Sequence, residues 1–246
     1  MPRYRVIIEY DGRPFVGWQR QDNGLGVQQT IEQAAMMLNH NQSVPVYAAG
    51  RTDAGVHALG QVAHFDLMRD MEPRRLMSAM NAHLKQYPVS VVDADIVSED
   101  FHARFSAHER VYEYRIINRP APLTFDRGLA WQVSEMLDVD AMDAVAKVLL
   151  GKHDFTTFRA SYCQAKSALR TLDQLDVVRI DDLITVHVRA RSFLHHQVRN
   201  MVGTLRLVGV GKWDKNDMIQ ALNAKDRCRG GPTAPADGLY LTGVGY

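Results

Sequence analysis

The period of the apolar residues switches between two and 3.6 along this chain, and it does so in the same order twice. Tyr4, Val6, Ile8 and Tyr10 alternate on one face of a strand that stops at Asp11-Gly12. Val27, Ile31, Ala34, Ala35 and Leu38 then recur at helical spacing within VQQTIEQAAMMLNH. Strand patterns follow around 44–48 and 61–67, then a helix over PRRLMSAMNAHL on Leu76, Ala79, Met80 and Leu84, then strand-like VSVVDADIV. With HERVYEYRII the order begins again. A helix over DVDAMDAVAKVLLGKHDF uses Val139, Met142, Val145, Ala146 and Leu149, with Asp138 as N-cap and Gly151 as stop. LDVVRI and LITVHVRARSF read as strands, HHQVRNMVGTLRLVGV and DKNDMIQALNA as helices. Strands alternating with helices in both halves predict an α+β protein of two units, residues 1–105 and 106–246.

A chain of 246 residues with 46% hydrophobic content can bury a sizeable core. Its net charge of +1 does not announce a nucleic-acid binder. The kind of cation says more: 22 of the 29 basic residues are arginine, whose planar fork suits phosphates and whose face stacks on bases. Of the 29, 19 lie after residue 105, so any basic face is weighted towards the second half. Two cysteines, Cys163 and Cys228, form neither a zinc pattern nor a disulfide framework, which suits a reducing compartment. The start reads as a strand and no apolar stretch approaches the ~20 residues of a membrane span. The expectation is a cytoplasmic protein without a membrane partner.

Three stretches have the residue types of a reactive site. In GRTDAGVHALGQ, residues 50–61, Asp53 sits on a turn set by Gly50 and Gly55, with Arg51 two residues before it and His57 four after. An Asp is favoured in such a turn for its own backbone bonds. It could equally be a nucleophile or base presented between rigid strands, and spacing does not decide. In HERVYEYRI, alternation puts His108, Arg110, Tyr112 and Tyr114 on one strand face. Aromatics beside cations on an exposed sheet suit base stacking with phosphate contact, whereas the plainer alternative is tyrosines half-buried in a sheet. In ARSFLHHQVRNMVG, Val198, Met201, Val202 and Leu205 face a core and leave Arg199, Gly203 and Arg206 on another side. Gly203 would admit another backbone, and Arg199 is either solvated or paired with a carboxylate whose pKa it would lower. Ten histidines raise the question of a metal, through His64 and Asp66 on one strand face or the adjacent His195 and His196. No HExxH, CxxC or ligand triad supports one. GVGK at 209–212 lacks the flanking residues of a phosphate loop.

Together these pieces resemble the tRNA pseudouridine synthase A family. YDGRPFVGWQRQ resembles its opening signature and GRTDAGVHALGQV its catalytic motif. FHARFSAHERVYEYRI, GKHDFTTFRAS, SFLHHQVRNMVGTL and APADGLYLTGVGY resemble later blocks in the same order, so the likeness runs from residue 4 to the C-terminus. It departs at His195, where an aromatic or Arg is more usual, and in the loose block NAHLKQYP. The resemblance implies a pseudouridine synthase fold of two RRM/ferredoxin-like α/β units with a mixed, largely antiparallel central sheet. It implies isomerisation of uridine at positions 38 to 40 of the tRNA anticodon arm, by a homodimer that needs neither metal nor organic cofactor. Motif by motif, it makes Asp53 the catalytic aspartate, Tyr112 the residue packing on the target base, Arg199 the partner of the aspartate, and Arg51 a residue that helps displace the base. His57 and Arg110 join Arg51 and Tyr112 as substrate-binding residues.

That chemistry suits the residues. Uridine must lose its N1–C1′ bond, turn, and rejoin through C5, and a carboxylate can assist by adding to C6 of uracil or by taking C1′. The base must first leave its stack, at a cost of a few kcal/mol that an aromatic face partly offsets. Two rival readings are a metal-dependent phosphohydrolase using His57, His64, Asp66 and Asp53, and a non-catalytic RNA-binding module.

Overall fold

The computed structural model describes residues 1–246. The chain divides into two compact units, Met1–His108 with Tyr240–Tyr246, and Glu109–Leu239.

In the first unit β1 (Arg3–Tyr10) is central, and its alternation is the reason: Tyr4, Val6, Ile8 and Tyr10 are all buried. Helix α1 (Val27–Leu38) and the two-residue β2 (Tyr47–Ala48) precede β3 (His57–Asp66). Helix α2 (Pro73–Leu84) and β4 (Val89–Val97) follow. β1 pairs antiparallel with β3 and β4, and β2 antiparallel with β3. The register sets Arg3 opposite Asp66, where the guanidinium takes both carboxylate oxygens at 2.8 and 2.9 Å. Helix α2 starts as its sequence dictates, with Pro73 in the first turn and the Glu72 side chain accepting the Arg75 N–H. It packs on α1 and β4 through Leu76, Met80 and Leu84. Of the expected strand at 44–48 only Tyr47 and Ala48 pair, since Pro45 has no N–H to give a ladder. β3 begins earlier than the expected 61, directly after the Asp53 turn.

The second unit is built on β5 (Glu109–Asn118), with the short parallel β6 (Trp131–Val133) beside it. Helix α3 (Val139–Ala146) has the expected cap, the Asp138 carboxylate accepting the Ala141 N–H at 2.9 Å. It ends sooner than its pattern suggested. Lys147–Leu149 tighten into a 3-10 turn, and Gly151, at φ +88°, opens β7 (Gly151–Asp154) instead of closing a long helix. β8 (Leu169–Ile180) and β9 (Leu183–Ala190) complete an antiparallel order β5-β9-β8-β7. Helix α4 (Gln197–Gly209) and α5 (Lys215–Ala224) follow, the second opened by a capping box between Asp214 and Asp217.

The last strand, β10 (Leu239–Gly245), runs parallel to β3 with Tyr240 opposite His57. Residues 240–246 thus pack with the first unit, whereas the sequence pattern gave them to the second. Gly60 makes room, because a Cβ there would lie 2.5 Å from the Thr242 carbonyl. Strand pairing within each unit is mixed and largely antiparallel, the α+β class that the alternating periods predict. No helix is long and apolar enough to cross a membrane.

Candidate active site

In the first unit Arg51, Asp53 and His57 share one loop and the start of β3. The Asp53 carbonyl accepts the Val56 N–H at 3.1 Å and Gly55 takes φ +78°, a turn whose third position favours glycine. Gly50, by contrast, has ordinary φ and open space around it, so only one of the two flanking glycines sets the turn.

The opening signature clamps this loop from the other side. The Trp18 N–H donates to the Thr52 carbonyl at 3.0 Å, and the Gly55 N–H reaches the Phe15 carbonyl at 3.4 Å. The Tyr10 and Thr52 hydroxyls meet at 2.8 Å, and buried Gln61 donates to the Gly50 carbonyl at 2.9 Å. Burial raises the Tyr10 phenol to about 12, against the hydrogen bonds from Thr52 and Gln61. It therefore stays a neutral hydrogen-bonding post. Gly12 and Gly17 have no side chain because the loop occupies that space: a Cβ on Gly12 would strike the Val56 carbonyl, and one on Gly17 would sit 2.7 Å from the Thr52 carbonyl. The spacing of these glycines is visible in the sequence. What they pack against is not.

His57, expected among the substrate-binding residues, is 1% exposed. Its Nδ1 accepts the Gly12 N–H at 3.1 Å and lies 3.3 Å from the Asp11 carboxylate, while its ring stacks on Tyr240 at 4.6 Å. Burial pushes the Asp11 carboxyl up, but hydrogen bonds from Arg13 outweigh it and hold the group below the usual carboxylate range. The geometry gives His57 the floor of the loop. Arg51 is exposed at the loop's start.

Two residues of the metal reading have partners of their own. His64 Nδ1 accepts the Ala103 N–H at 3.1 Å, its ring stacks on Tyr47 at 5.2 Å, and Asp66 is tied to Arg3. His57 and His64 are seven residues apart on one strand, about 23 Å of extended chain.

In the second unit Arg110, Tyr112 and Tyr114 do share a face of β5, but it is a buried face rather than the exposed platform considered from sequence. The reason is in the tertiary packing. Tyr114 is fully buried and donates its hydroxyl to the Pro235 carbonyl at 2.8 Å, with Gly238 leaving space for its ring. Burial raises its phenol well above the ordinary value, and the charge of Arg199 works the other way. Tyr112 keeps 9% of its surface and meets Phe193 edge-on at 5.2 Å. Arg110 is equally buried, its Nη1 donating to the Arg191 carbonyl at 2.8 Å.

Arg199 stands in the first turn of α4, three residues after His196, whose φ of +62° makes the sharp entry to the helix. Its Nε donates to the Ala234 carbonyl at 2.8 Å. Gly203 admits another backbone as expected: the Pro232 carbonyl occupies the place of a Cβ. Asn200, Thr204, Arg227 and Thr233, which no sequence pattern singles out, are bonded along the same side of the helix.

A family model described as tRNA pseudouridine synthase matches residues 6–106 and 145–246. Among curated relatives, the tRNA pseudouridine synthase A of Paramagnetospirillum magneticum is 60% identical over 248 aligned positions, covering 100% of this chain and 96% of the relative. Those of Maricaulis maris and Parvibaculum lavamentivorans are 58% and 55% identical over 246 residues, covering this chain completely and 98% and 100% of their own lengths.

Proposed function

This chain belongs to the tRNA pseudouridine synthase family, and from that premise we propose that it isomerises uridine to pseudouridine in the anticodon arm of tRNA with Asp53 as nucleophile. The observation that supports this reading is the clamped turn. A carboxylate carried on a backbone turn held from both sides, between the opening signature and the start of β3, loses little orientation when it attacks. Asp53 forms a bond to C6 of uracil or to C1′ of ribose, the N1–C1′ bond breaks, and the base turns to present C5. A new C5–C1′ bond forms, the C5 proton is lost, N1 gains one, and the carboxylate is released, so the step needs no oxidant and no net hydrolysis.

Tyr112 supplies the face against which the target base packs, Arg51 helps to displace that base from its stack, and Arg199 keeps the nucleophile ionised once water is excluded. His57 and Arg110 act one layer back, holding the Asp53 loop and the end of β9 respectively. The acting species is a cytoplasmic homodimer whose two subunits bind one tRNA, and the free thiols of Cys163 and Cys228 suit that compartment.

The test is tritium release from tRNA carrying uridine tritiated at C5, wild type against Asp53→Asn. Loss of a covalent nucleophile should lower the rate by at least ~10⁴, with tRNA affinity within about tenfold of wild type. Residual activity of about a tenth in a pure preparation would remove Asp53 from the role. A non-catalytic RNA-binding module would be indifferent to the substitution.

A further inference from the structure

Between α4 and the segment that returns along it lies a closed set of polar contacts with no part in the roles assigned so far. Asn200, the residue after Arg199, is 1% exposed. Its Oδ1 accepts two bonds, from the Thr233 hydroxyl at 2.7 Å and from Arg227 Nη2 at 3.1 Å. Its Nδ2 donates to the Phe158 carbonyl at 2.8 Å. The same Arg227 nitrogen donates to the Thr233 hydroxyl at 3.1 Å, so the three side chains close a triangle. One turn on, the Thr204 hydroxyl donates to the Asn200 carbonyl at 2.7 Å and accepts the Gly231 N–H at 3.0 Å.

The triangle ends one residue from Arg199's own partner. Ala234 follows Thr233 and meets Arg199 in both directions: its N–H donates to the Arg199 carbonyl at 3.1 Å, and its carbonyl accepts Arg199 Nε at 2.8 Å. A guanidinium fixed at Nε presents its Nη groups along one set direction, because the fork is planar. A buried carboxamide with both ends bonded is stable only while its partners stay in place.

We propose that Asn200, Arg227 and Thr233 are positioning residues for the isomerisation: they hold the Ala234 carbonyl against Arg199 Nε and thereby fix the direction in which Arg199 offers its remaining N–H groups. The inference rests on the reading of Arg199 as the cation that serves the nucleophile. Thr233 is the point at which to test it, because it is exposed and Thr233→Val removes the hydroxyl at nearly constant volume.

Single-turnover pseudouridine formation is measured for wild type, Thr233→Val, Thr233→Ser, Arg199→Lys, Arg199→Ala and the Thr233→Val/Arg199→Lys double variant. Binding of tRNA and exchange protection of the Arg199 Nε–H by ¹⁵N NMR are followed alongside. Thr233→Val should slow the chemical step about tenfold with tRNA affinity within about twofold, and Thr233→Ser should restore it. In the Arg199→Lys background, which has no Nε–H to fix, Thr233→Val should cost nothing further. The Nε–H should be protected in wild type and in the Ser variant and lose protection in the Val variant. Thr233→Val at wild-type rate, a failed rescue by Ser, or an equal slowing in both backgrounds each overturns the proposal. An Arg199→Ala variant at wild-type rate would instead remove the underlying reading of Arg199, a result distinct from an inactive Arg199→Ala beside a fully active Thr233→Val.

Discussion

Tyr112 meets Phe193 edge-on and keeps 9% of its surface, so its ring is already oriented by the protein before any base arrives. Tyr112→Phe should bind tRNA nearly as wild type does. Tyr112→Leu should lose about 1–3 kcal/mol of stacking, read as a change in tRNA dissociation constant. Turnover of the Phe variant separates two roles: full activity leaves stacking alone, and a deep loss with intact binding assigns the phenol a proton-transfer step. His64 gives a prediction of another kind. Burial lowers its pKa to about 4, with the charges of His102 and Arg3 acting in the same direction and Asp66 opposing them. The unfolded chain takes up that proton below its ordinary value of 6.5 and the folded chain does not. The stability due to neutral His64 is therefore fully present above that value and lost as pH falls towards 4, by up to about 3 kcal/mol. Urea unfolding between pH 7 and pH 4 should show this slope, and His64→Gln should flatten it. An unchanged slope in the variant would assign the loss to other groups.

Among the elements, the Asp53 turn and α4 are each fitted against a second piece of chain through a glycine. At Gly17 the fit is doubly restrictive, since φ is +112° and a Cβ would lie 2.7 Å from the Thr52 carbonyl. Gly17→Ala should therefore displace the loop rather than unfold the unit. We expect a fall of about 100-fold in the rate of pseudouridine formation, with a stability loss of only about 1–3 kcal/mol. Circular dichroism with single-turnover kinetics checks it, and wild-type kinetics would show that the clamp does not set the position of Asp53. Helix α4 illustrates the same point on the other unit. Ten of its thirteen residues are buried, beyond the single apolar stripe of Val198, Met201, Val202 and Leu205, because the segment around Pro232 covers its other side.

For the molecule as a whole, a net charge of +1 hides many charges of both signs, some of them paired in place. Arg5 is bonded to Asp95, Arg13 to Asp11, Arg189 to Glu109 and Arg206 to Glu135. Exposed pairs of this kind contribute little to stability and can exchange a carboxylate for a phosphate. Binding of tRNA should accordingly weaken steeply with salt, with a slope of about −3 or steeper in log K against log salt, at roughly −0.7 to −0.9 per phosphate neutralised. Salt titration of tRNA binding, paired with sedimentation of the free protein, tests both the basic surface and the dimer. A slope near zero, or a monomer fully active at assay concentration, removes the shared tRNA surface.

The two α+β units, the core face of β1, the cap of α3 and the Asp53 turn are legible in the amino-acid order alone. Each is set by residues close together in the chain, through period, capping chemistry and glycine. That order also contains the family signature, in blocks whose succession needs no structure to be recognised. Tertiary structure alone decided that β10 pairs with β3 and stacks Tyr240 on His57, and that Gly12 and Gly17 serve the loop bearing Asp53. It alone buried the Tyr112 face and bound Asn200 to Thr233. The physical reason is common to all four. Each contact joins residues at least 33 positions apart or covers a face with a distant segment, and local period does not encode which distant segment arrives.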